Sequence, residues 1–323
     1  MQGKALPERS ALMTIYVGID VCKAWLDVYL HPIGRQLRVA NSREGLKRLK
    51  RVLAEYPVAL IVMEATGKYH REAHRSLHAS GFVMAIVNPL RSRLFAEATG
   101  TLAKTDQVDA RILAILAESL APKSKPPAPK SLEELQELVR ARQAAVADLT
   151  ALTNQRGEST TAILRRELTC RIKATEASIA RLEAEIERRI ERDPALARRY
   201  RILLSIKGIG PVAAASLLVG LAELGVCSGK QAALLAGLAP VACDSGEKHG
   251  ERRIRGGRSD VRAGIYMAAV AAARSNPGLR AFYQRLRGKG KKFKVAITAV
   301  MRKLVVLANT LIREDRLWQP NHA

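Results

Sequence analysis

Four acidic side chains in the first 110 residues have the types and spacing of a cation site for phosphoryl transfer. Asp20 and Glu64 each follow an apolar run, and Asp106 and Asp109 lie three residues apart at the start of a predicted helix. Magnesium prefers oxygen ligands, and two-metal phosphoryl-transfer sites gather about three or four carboxylates. The carboxyl ends of strands form ligand sites in open α/β sheets, and an i, i+3 pair shares one helix face.

Each of these residues also has an ordinary structural explanation. Asp20 could simply end a strand, and Glu64 precedes Thr66-Gly67-Lys68, which could form a local cap. Aspartate favours the first turn of any helix because of the helix dipole. The combination of two strand-end carboxylates with an i, i+3 pair in one α/β segment favours a shared site.

A serine in the second half is a candidate nucleophile. Ser245 lies in the tripeptide Asp-Ser-Gly, and four arginines follow it: Arg252, Arg253, Arg255 and Arg258. A hydroxyl can attack a phosphodiester when guanidinium groups hold the phosphate and the leaving oxygen is stabilised. Asp-Ser-Gly is also a common turn, so composition alone favours that interpretation. A competing serine, Ser259, is predicted to be the N-cap of a helix over 260–274.

The segment that carries the acidic residues predicts a mixed α/β sheet with helices packed on its faces. Strands are predicted at Thr14–Val21, Trp25–His31, Gln36–Ala40, Val58–Ala65 and Phe82–Val87. Helices are predicted over 42–55, 68–80, 90–98 and 105–119. His70, His74 and His78 share one helix face without an acidic metal motif, and we expect them at the surface or near phosphate.

The remaining chain predicts helices. Pro122–Lys130 (PKSKPPAPK) is a semi-extended linker. Beyond it, isoleucines seven residues apart predict two long helices with a break near Gly157 or Thr169, either a dimerising coiled coil or an antiparallel hairpin. We therefore divide the chain into an extension (1–13), an α/β domain (14–121), the linker (122–130), a helical coiled coil (131–193), a basic, mainly α domain (194–316) and a tail (317–323).

The charge is strongly positive and uneven. The chain has 54 Lys and Arg against 30 Asp and Glu, a net charge of +24, and residues 194–323 contribute +16 of it. This excess predicts a polyanionic partner. A hydrophobic content of 48% excludes a disordered basic tail, and short apolar runs exclude a membrane span. Four scattered cysteines without a CxxC pair argue against a zinc site or disulfides and favour the cytoplasm.

Two further segments are candidates for nucleic-acid contact. Lys207, Gly208 and Gly210 lie in SIKGIGP, which resembles a helix-hairpin-helix whose backbone N–H groups bind phosphate. A Gly-x-Gly turn between helices can equally be an ordinary tight turn. Lys291 and Lys292 lie in RLRGKGKKFK (285–294), which predicts a basic loop for phosphate contact or base stacking.

Three blocks resemble the DEDD transposases of the IS one-ten family of insertion sequences, relatives of the Piv DNA invertases. They are Tyr16–Val21, Met63–Gly67 and Lys104–Ala110. The resemblance implies a RuvC-like, RNase H-like first domain in which Asp20, Glu64, Asp106 and Asp109 bind Mg²⁺, with Mn²⁺ able to substitute. The second half is similar to the family's C-terminal transposase domain, whose proposed serine nucleophile matches Ser245.

The resemblance also implies partners and a setting. It implies donor and target DNA, a covalent phosphoserine intermediate, a structured guide RNA and a homo-oligomer, a dimer or tetramer, in the bacterial cytoplasm at the nucleoid. Two alternatives stay open. A structure-specific nuclease such as a junction resolvase would use the carboxylates with water, and a non-catalytic nucleic-acid-binding protein would use neither group.

Overall fold

The computed structural model describes residues 13–65, 67–101, 105–242, 244, 246, 250 and 252–320. They belong to two units, Met1–Ala128 and Pro129–Ala323. Ser245 lies outside the described residues, as do Thr66 and Lys104 of the acidic blocks.

A five-stranded mixed sheet forms the centre of the first unit. Its strands are β1 (Ile15–Val21), β2 (Trp25–His31), β3 (Arg35–Ala40), β4 (Val58–Glu64) and β5 (Met84–Val87). The order is β3-β2-β1-β4-β5, with β1, β4 and β5 parallel and β2 antiparallel to both of its neighbours. The five predicted strands are confirmed, with ends that shift by at most two residues.

Side chains along each strand alternate between the two faces of the sheet, and different helices pack on each face. The helices are α1 (Arg43–Ala54), α2 (His70–His78), α3 (Pro89–Ala98) and α4 (Asp106–Leu120). Odd-numbered residues of β1 such as Val17 pack with Leu49 of α1 and Leu77 of α2. Leu60 and Val62 of β4 lie in a separate cluster with Leu116 of α4. The predicted α/β sheet with helices on its faces is therefore confirmed.

Gly18 allows α4 to cross β1 at close range. A Cβ atom at Gly18 would lie 2.0 Å from the carbonyl oxygen of Ala110 and 2.4 Å from the backbone nitrogen of Ala114. No larger residue fits there without moving the helix. Because Asp106 lies one turn before Ala110, this contact brings the first turn of α4 to the carboxyl end of β1.

The prediction of surface histidines is wrong for His74. Its side chain is buried, and its Nε2 atom lies 3.0 Å from the carbonyl oxygen of Lys125. The coil after α4 covers this face of α2, and Arg75 donates to the carbonyl oxygen of Ala128 in the same coil. Burial lowers the pKa of His74. The helical pattern of α2 alone did not reveal this cover.

Two long helices begin the second unit, α5 (Lys130–Glu158) and α6 (Ala162–Glu191). The break falls near Gly157, one of the two predicted positions, whereas Thr169 lies inside α6. Leu152 packs with Leu168 and Ile172 across the pair, which makes it an antiparallel hairpin within one chain. Dimerisation through this hairpin stays a prediction.

Among its described residues, the rest of the second unit consists of helices, one short strand pair and the coil that joins them. The helices are α7 (Pro194–Ser205), α8 (Pro211–Gly220), α9 (Gly229–Leu235), α10 (Ser259–Gly264), α11 (Tyr266–Ser275), α12 (Pro277–Gly288) and α13 (Phe293–Arg313). The strands β6 (Pro240–Val241) and β7 (Arg253–Ile254) pair antiparallel. One core joins Leu135 and Ile186 of the hairpin with Leu217 of α8 and Leu304 of α13.

Two expectations for this unit differ from the structure. The predicted helix over 260–274 is two helices that meet at Ile265, and Ser259 is the first residue of α10 rather than its N-cap. The Ser259 hydroxyl instead lies 3.4 Å from Asp260 Oδ1. The predicted loop over 285–294 is shorter, because α12 continues to Gly288.

Helix α13 is long and apolar enough to cross a membrane by length and composition. Val300, Leu304 and Ala308 on it are fully buried inside the unit, and Arg302 and Lys303 interrupt its apolar surface. This burial is typical of the central helix of a folded core.

Candidate active site

The sheet register places Asp20 and Glu64 side by side. Ile19 of β1 pairs with Met63 of the parallel strand β4, and the next residue of each strand is the carboxylate. Both carboxylates follow the alternation of Gly18 and Val62, so they project from the face that α4 covers. The structure therefore brings these two predicted residues together at the carboxyl ends of adjacent strands.

The first turn of α4 adds Asp106 and Asp109. Thr105 caps this helix, and its side-chain oxygen accepts a hydrogen bond from the backbone N–H of Val108 at 3.3 Å. Asp106 and Asp109 both lie in the first turn. The crossing at Gly18 directs this turn towards Asp20 and Glu64.

The pKa of Asp20 reports the proximity of the other three carboxylates. The pKa of Asp20 is raised from its ordinary value of 3.8 to about 6, first by burial and then by the negative charges of Asp109, Asp106 and Glu64, in that order. A hydrogen bond from the backbone N–H of Val21 opposes the rise. The four predicted acidic residues therefore share one electrostatic environment, in which negative charge is concentrated and partly buried.

The donor set fits a hard divalent cation. Within the part of the chain that the structure describes, no group of three or more His, Cys, Asp or Glu side chains encloses a position for a metal ion. The carboxylates gathered here are nonetheless the ligands that Mg²⁺ and Mn²⁺ prefer. The negative charges around Asp20 repel one another, and a bound cation would relieve this repulsion.

A fifth carboxylate and its partner, which the sequence patterns did not indicate, lie beside this group. Asp20 pairs with Asp27 across β1 and β2, and Asp27 pairs with Arg38 across β2 and β3. The Nε and Nη2 atoms of Arg38 each donate to Asp27 at 2.8 Å, and Nη2 lies 3.4 Å from Asp106 Oδ2. Asp27 is 5% exposed. The alternation of Leu26, Asp27 and Val28 was a signal that this acid faces the same side as Asp20.

A hydroxyl contacts Glu64 from the other side. The Oγ atom of Ser92 in α3 donates to Glu64 Oε2 at 2.8 Å and lies 3.0 Å from the carbonyl oxygen of Pro89. Asn88 caps α3, because its side-chain oxygen accepts from the N–H of Leu90 at 2.8 Å. Ser92 is buried. Sequence reasoning missed it because a serine in a helix beside no motif carries no signal of its own.

Described residues on either side of Ser245 show how its segment is anchored. Asp244 precedes Ser245, and its Oδ1 atom accepts from the backbone N–H of Gly250 at 3.2 Å. The Oδ2 atom of Asp244 pairs with Nη1 of Arg252 at 2.8 Å. The strands β6 and β7 flank this segment. Arg252, a predicted phosphate contact, is therefore held by a carboxylate next to the candidate nucleophile.

The other three predicted arginines divide into two kinds. Arg253 and Arg255 are exposed in and just after β7. Arg258 donates to both carboxylate oxygens of Glu223 at 2.7 Å and to the carbonyl oxygen of Gly220 at 2.7 Å. This bidentate ion pair ties the start of α10 to the end of α8. The geometry therefore gives Arg258 a structural task of its own.

The Gly-x-Gly turn between α7 and α8 has one packed glycine and one open glycine. Gly208 has φ +108°, and a Cβ atom there would lie 2.5 Å from Cβ of Ala272. Gly210 is exposed with no atom near such a Cβ, and it is the N-cap of α8 without a side-chain cap. Lys207 is also exposed, as are Lys291 and Lys292 between α12 and α13. Of the three residues predicted to contact phosphate at this turn, Lys207 and Gly210 are exposed, while Gly208 holds the turn against α11.

We expect Gly208→Ala to destabilise the protein by about 2–4 kcal/mol, because overpacking and the positive φ both oppose a side chain there. Gly210→Ala, with φ −94° and open space around it, is the matched control and should cost less than about 1 kcal/mol. Urea denaturation measures both. Equal losses would contradict the different roles of the two glycines.

Two family profiles match this chain. The DEDD profile of the IS110 type, described as "Transposase", matches residues 17–158. The profile described as "Transposase IS116/IS110/IS902 family" matches residues 200–284. The first range contains the four carboxylates, and the second contains Ser245.

Curated proteins similar to this chain include inverting proteins and insertion-element proteins. The pilin gene-inverting protein of Moraxella bovis is 29% identical over 315 residues, which cover 93% of this chain and 96% of that protein. The pilin gene-inverting protein of Moraxella lacunata matches with the same identity and coverage. The insertion element IS900 uncharacterized 42 kDa protein of Mycobacterium paratuberculosis is 30% identical over 168 residues, 51% of this chain and 41% of that protein.

Proposed function

The chain belongs to the IS110 (IS one-ten) family of transposases, and we propose that it excises and inserts an insertion element by DNA strand cleavage and rejoining. The observation that carries the proposal is the group of four carboxylates at one edge of the sheet. Burial and, after it, the charges of Asp109, Asp106 and Glu64 raise the pKa of Asp20, which supports a cation site for phosphoryl transfer. The strand order and the single antiparallel strand β2 support a RuvC-like fold for residues 14–121.

The proposed division of labour starts with the carboxylates. Asp20, Glu64, Asp106 and Asp109 hold Mg²⁺ or Mn²⁺, which when bound supplies charge neutralisation at a phosphodiester. Arg38 neutralises Asp27, so the buried fifth carboxylate does not compete for the cation. The hydroxyl of Ser92 holds one oxygen of Glu64.

Ser245 is the proposed nucleophile. Its Oγ atom forms a bond to phosphorus, its proton leaves, and the bond from phosphorus to one sugar oxygen breaks, so that oxygen becomes a hydroxyl. Rejoining reverses the step, because a sugar hydroxyl attacks the phosphoserine and releases Ser245. The phosphodiester energy is conserved in the covalent bond, so resealing needs no ATP.

Similarity to inverting proteins favours a recombinase over a nuclease. The Moraxella relatives are named for inverting a gene, and inversion requires that cut strands be rejoined. A junction-resolving nuclease would leave hydrolysed ends. The test is to incubate the chain with DNA of an element end and Mg²⁺, denature it, and look for a covalent protein–DNA adduct. Hydrolysed ends without an adduct would favour the nuclease.

The proposed partners beyond DNA rest on the resemblance and on charge. A structured guide RNA that pairs with donor and target DNA, and assembly into a dimer or tetramer through the hairpin of residues 131–193, are both part of the proposal. The charge of +16 in residues 194–323 supports a large polyanion surface there. The proposed setting is the bacterial cytoplasm, at the nucleoid.

The salt dependence of DNA binding tests this surface. Each phosphate contact contributes about 0.9 to the slope of log K against log salt. Replacing Lys291 and Lys292 with Gln should therefore lower the slope by up to about 2. The matched control replaces two exposed cations of the hairpin, Arg171 and Lys173. Fluorescence anisotropy at several salt concentrations measures both, and a larger change in the control would place the phosphate surface elsewhere.

A further inference from the structure

Glu64, the last residue of strand β4, has a side-chain partner on helix α3. The Oγ atom of Ser92 donates to Glu64 Oε2 at 2.8 Å. Ser92 has one hydroxyl proton and two acceptors within reach, Glu64 and the carbonyl oxygen of Pro89 at 3.0 Å. A charge-assisted hydrogen bond to the carboxylate is the stronger of the two. The proton therefore goes to Glu64, and the second carboxylate oxygen, Oε1, keeps its lone pairs for another partner.

The local structure fixes Ser92 before any cation binds. Strand β5 ends at Val87, Asn88 caps α3, and Pro89 occupies its first turn, so the start of this helix has a defined position after the strand. Glu64 pairs with Val87 across β4 and β5. Ser92 thus lies one turn into a helix that starts beside the end of β4. Its hydroxyl is placed by the backbone rather than by a flexible loop.

Because Ser92 is buried, its hydroxyl can affect the site only through its hydrogen bond to Glu64. Its 6% exposure leaves the hydroxyl without a path to a nucleic-acid phosphate, so Ser92 is not a substitute for Ser245 as nucleophile. A glutamate at a strand end has three side-chain torsions, and a hydrogen bond to one oxygen removes most of that freedom. Outer partners of this kind orient ligands and typically change metal affinity or activity 10–100-fold.

We propose that Ser92 is a positioning residue that holds the Glu64 carboxylate ready to bind the divalent cation of the strand-cleavage site. The inference rests on the proposed function, because it presumes that Glu64 is a metal ligand. Ser92 lies outside the three acidic blocks. The chemistry that it favours is a hard oxygen-seeking cation, since an ordered carboxylate suits the strict geometry of Mg²⁺.

The experiment measures metal affinity apart from catalysis. The full chain is titrated with MgCl2, and its thermal unfolding midpoint is followed as a function of metal concentration. Ser92→Ala keeps a good helix former in α3 and removes only the hydroxyl. We expect the metal concentration for half-maximal stabilisation to rise about 10- to 100-fold. Ser80→Ala, which removes a hydroxyl bonded only to the carbonyl oxygen of Ser76, should leave that concentration within about two-fold.

A second background shows whether Ser92 acts through Glu64. Glu64→Asp keeps the charge but withdraws the carboxylate from Ser92 by one methylene. Adding Ser92→Ala to this variant should therefore change the metal concentration for half-maximal stabilisation by less than about two-fold. If Ser92 is merely structural, Ser92→Ala lowers the thermal unfolding midpoint without metal in both backgrounds. The metal concentration for half-maximal stabilisation then stays unchanged, and this result overturns the inference. No Mg²⁺ effect on the unaltered chain would instead contradict the proposed cation site itself.

Discussion

Asp20→Asn is expected to abolish DNA strand cleavage while making the metal-free protein more stable. The loss of activity should exceed about 100-fold, the upper range for removing a metal's outer partner, because Asp20 is itself a proposed ligand. Asparagine has nearly the same shape and can still accept the hydrogen bond from Val21. The two effects together would identify Asp20 as a group kept for chemistry at the expense of stability.

The stability gain follows from the direction of the pKa shift. Folding raises the pKa of Asp20 from 3.8 to about 6, so ionising it costs the folded state more than the unfolded state. The penalty is absent below about pH 4, grows between 3.8 and about 6, and is complete above that range. A shift of this size corresponds to at most about 3 kcal/mol. Solvent screening of the partly exposed side chain reduces it to about 1–2 kcal/mol.

Thermal unfolding at several pH values measures this prediction. The stability of the unaltered chain should fall relative to Asp20→Asn as the pH rises from 4 to 7, and the two should be similar near pH 4. Asp148→Asn on the exposed face of α5 is the matched control and should show no such divergence. Added Mg²⁺ should stabilise the unaltered chain more than Asp20→Asn. A variant that is less stable than the unaltered chain at pH 8 without metal would contradict the account.

In the first unit, the periodicity of the sequence predicted the positions of the candidate site residues on their strands and helix. Alternation in β1 and β4 and the start of α4 placed the four carboxylates on predictable ends of elements, and the sheet register then brought two of them side by side. Gly18 is in the first acidic block, but its contact with Ala110 is visible only once α4 is packed on the sheet.

Partners that lie on other strands and helices were not predicted, for a related reason. Asp27 and Arg38 meet because β2 and β3 pair in one register, and Asp27 lies beside Asp20 because β1 pairs with β2; both registers are properties of the assembled sheet. Ser92 and His74 depend on neighbours from other elements, Glu64 and the coil at Lys125. Local sequence patterns predict the face of a strand or helix on which a side chain lies. They do not predict the group that it contacts there.

In the second unit, composition predicted helices and positive charge. It did not predict which arginines form ion pairs with carboxylates. Arg252 and Arg258 were both predicted to contact phosphate. The structure gives them carboxylate partners, Asp244 and Glu223, at distances of 2.8 and 2.7 Å. Such pairing depends on loops and helix ends that come together only in the folded unit.

Ser245→Ala is expected to eliminate the covalent protein–DNA adduct and to lower recombination by about 10³-fold or more, as removal of a nucleophile does in other covalent enzymes. DNA binding should stay within a few-fold, because the lysines and arginines proposed to contact phosphate are unchanged. Denaturing gel electrophoresis of a labelled DNA substrate measures the adduct, and product joints measure recombination.

The matched control is Ser259→Ala, the other serine of this basic region, whose hydroxyl lies beside Asp260. It should form the adduct at nearly the unaltered level. Comparison with Asp20→Asn then separates the rival mechanisms. If Ser245 is the nucleophile, both Ser245→Ala and Asp20→Asn lose every cleaved product. If water is the nucleophile, Ser245→Ala still yields metal-dependent hydrolysed ends and only Asp20→Asn loses them, because the carboxylates alone would then be sufficient for cleavage.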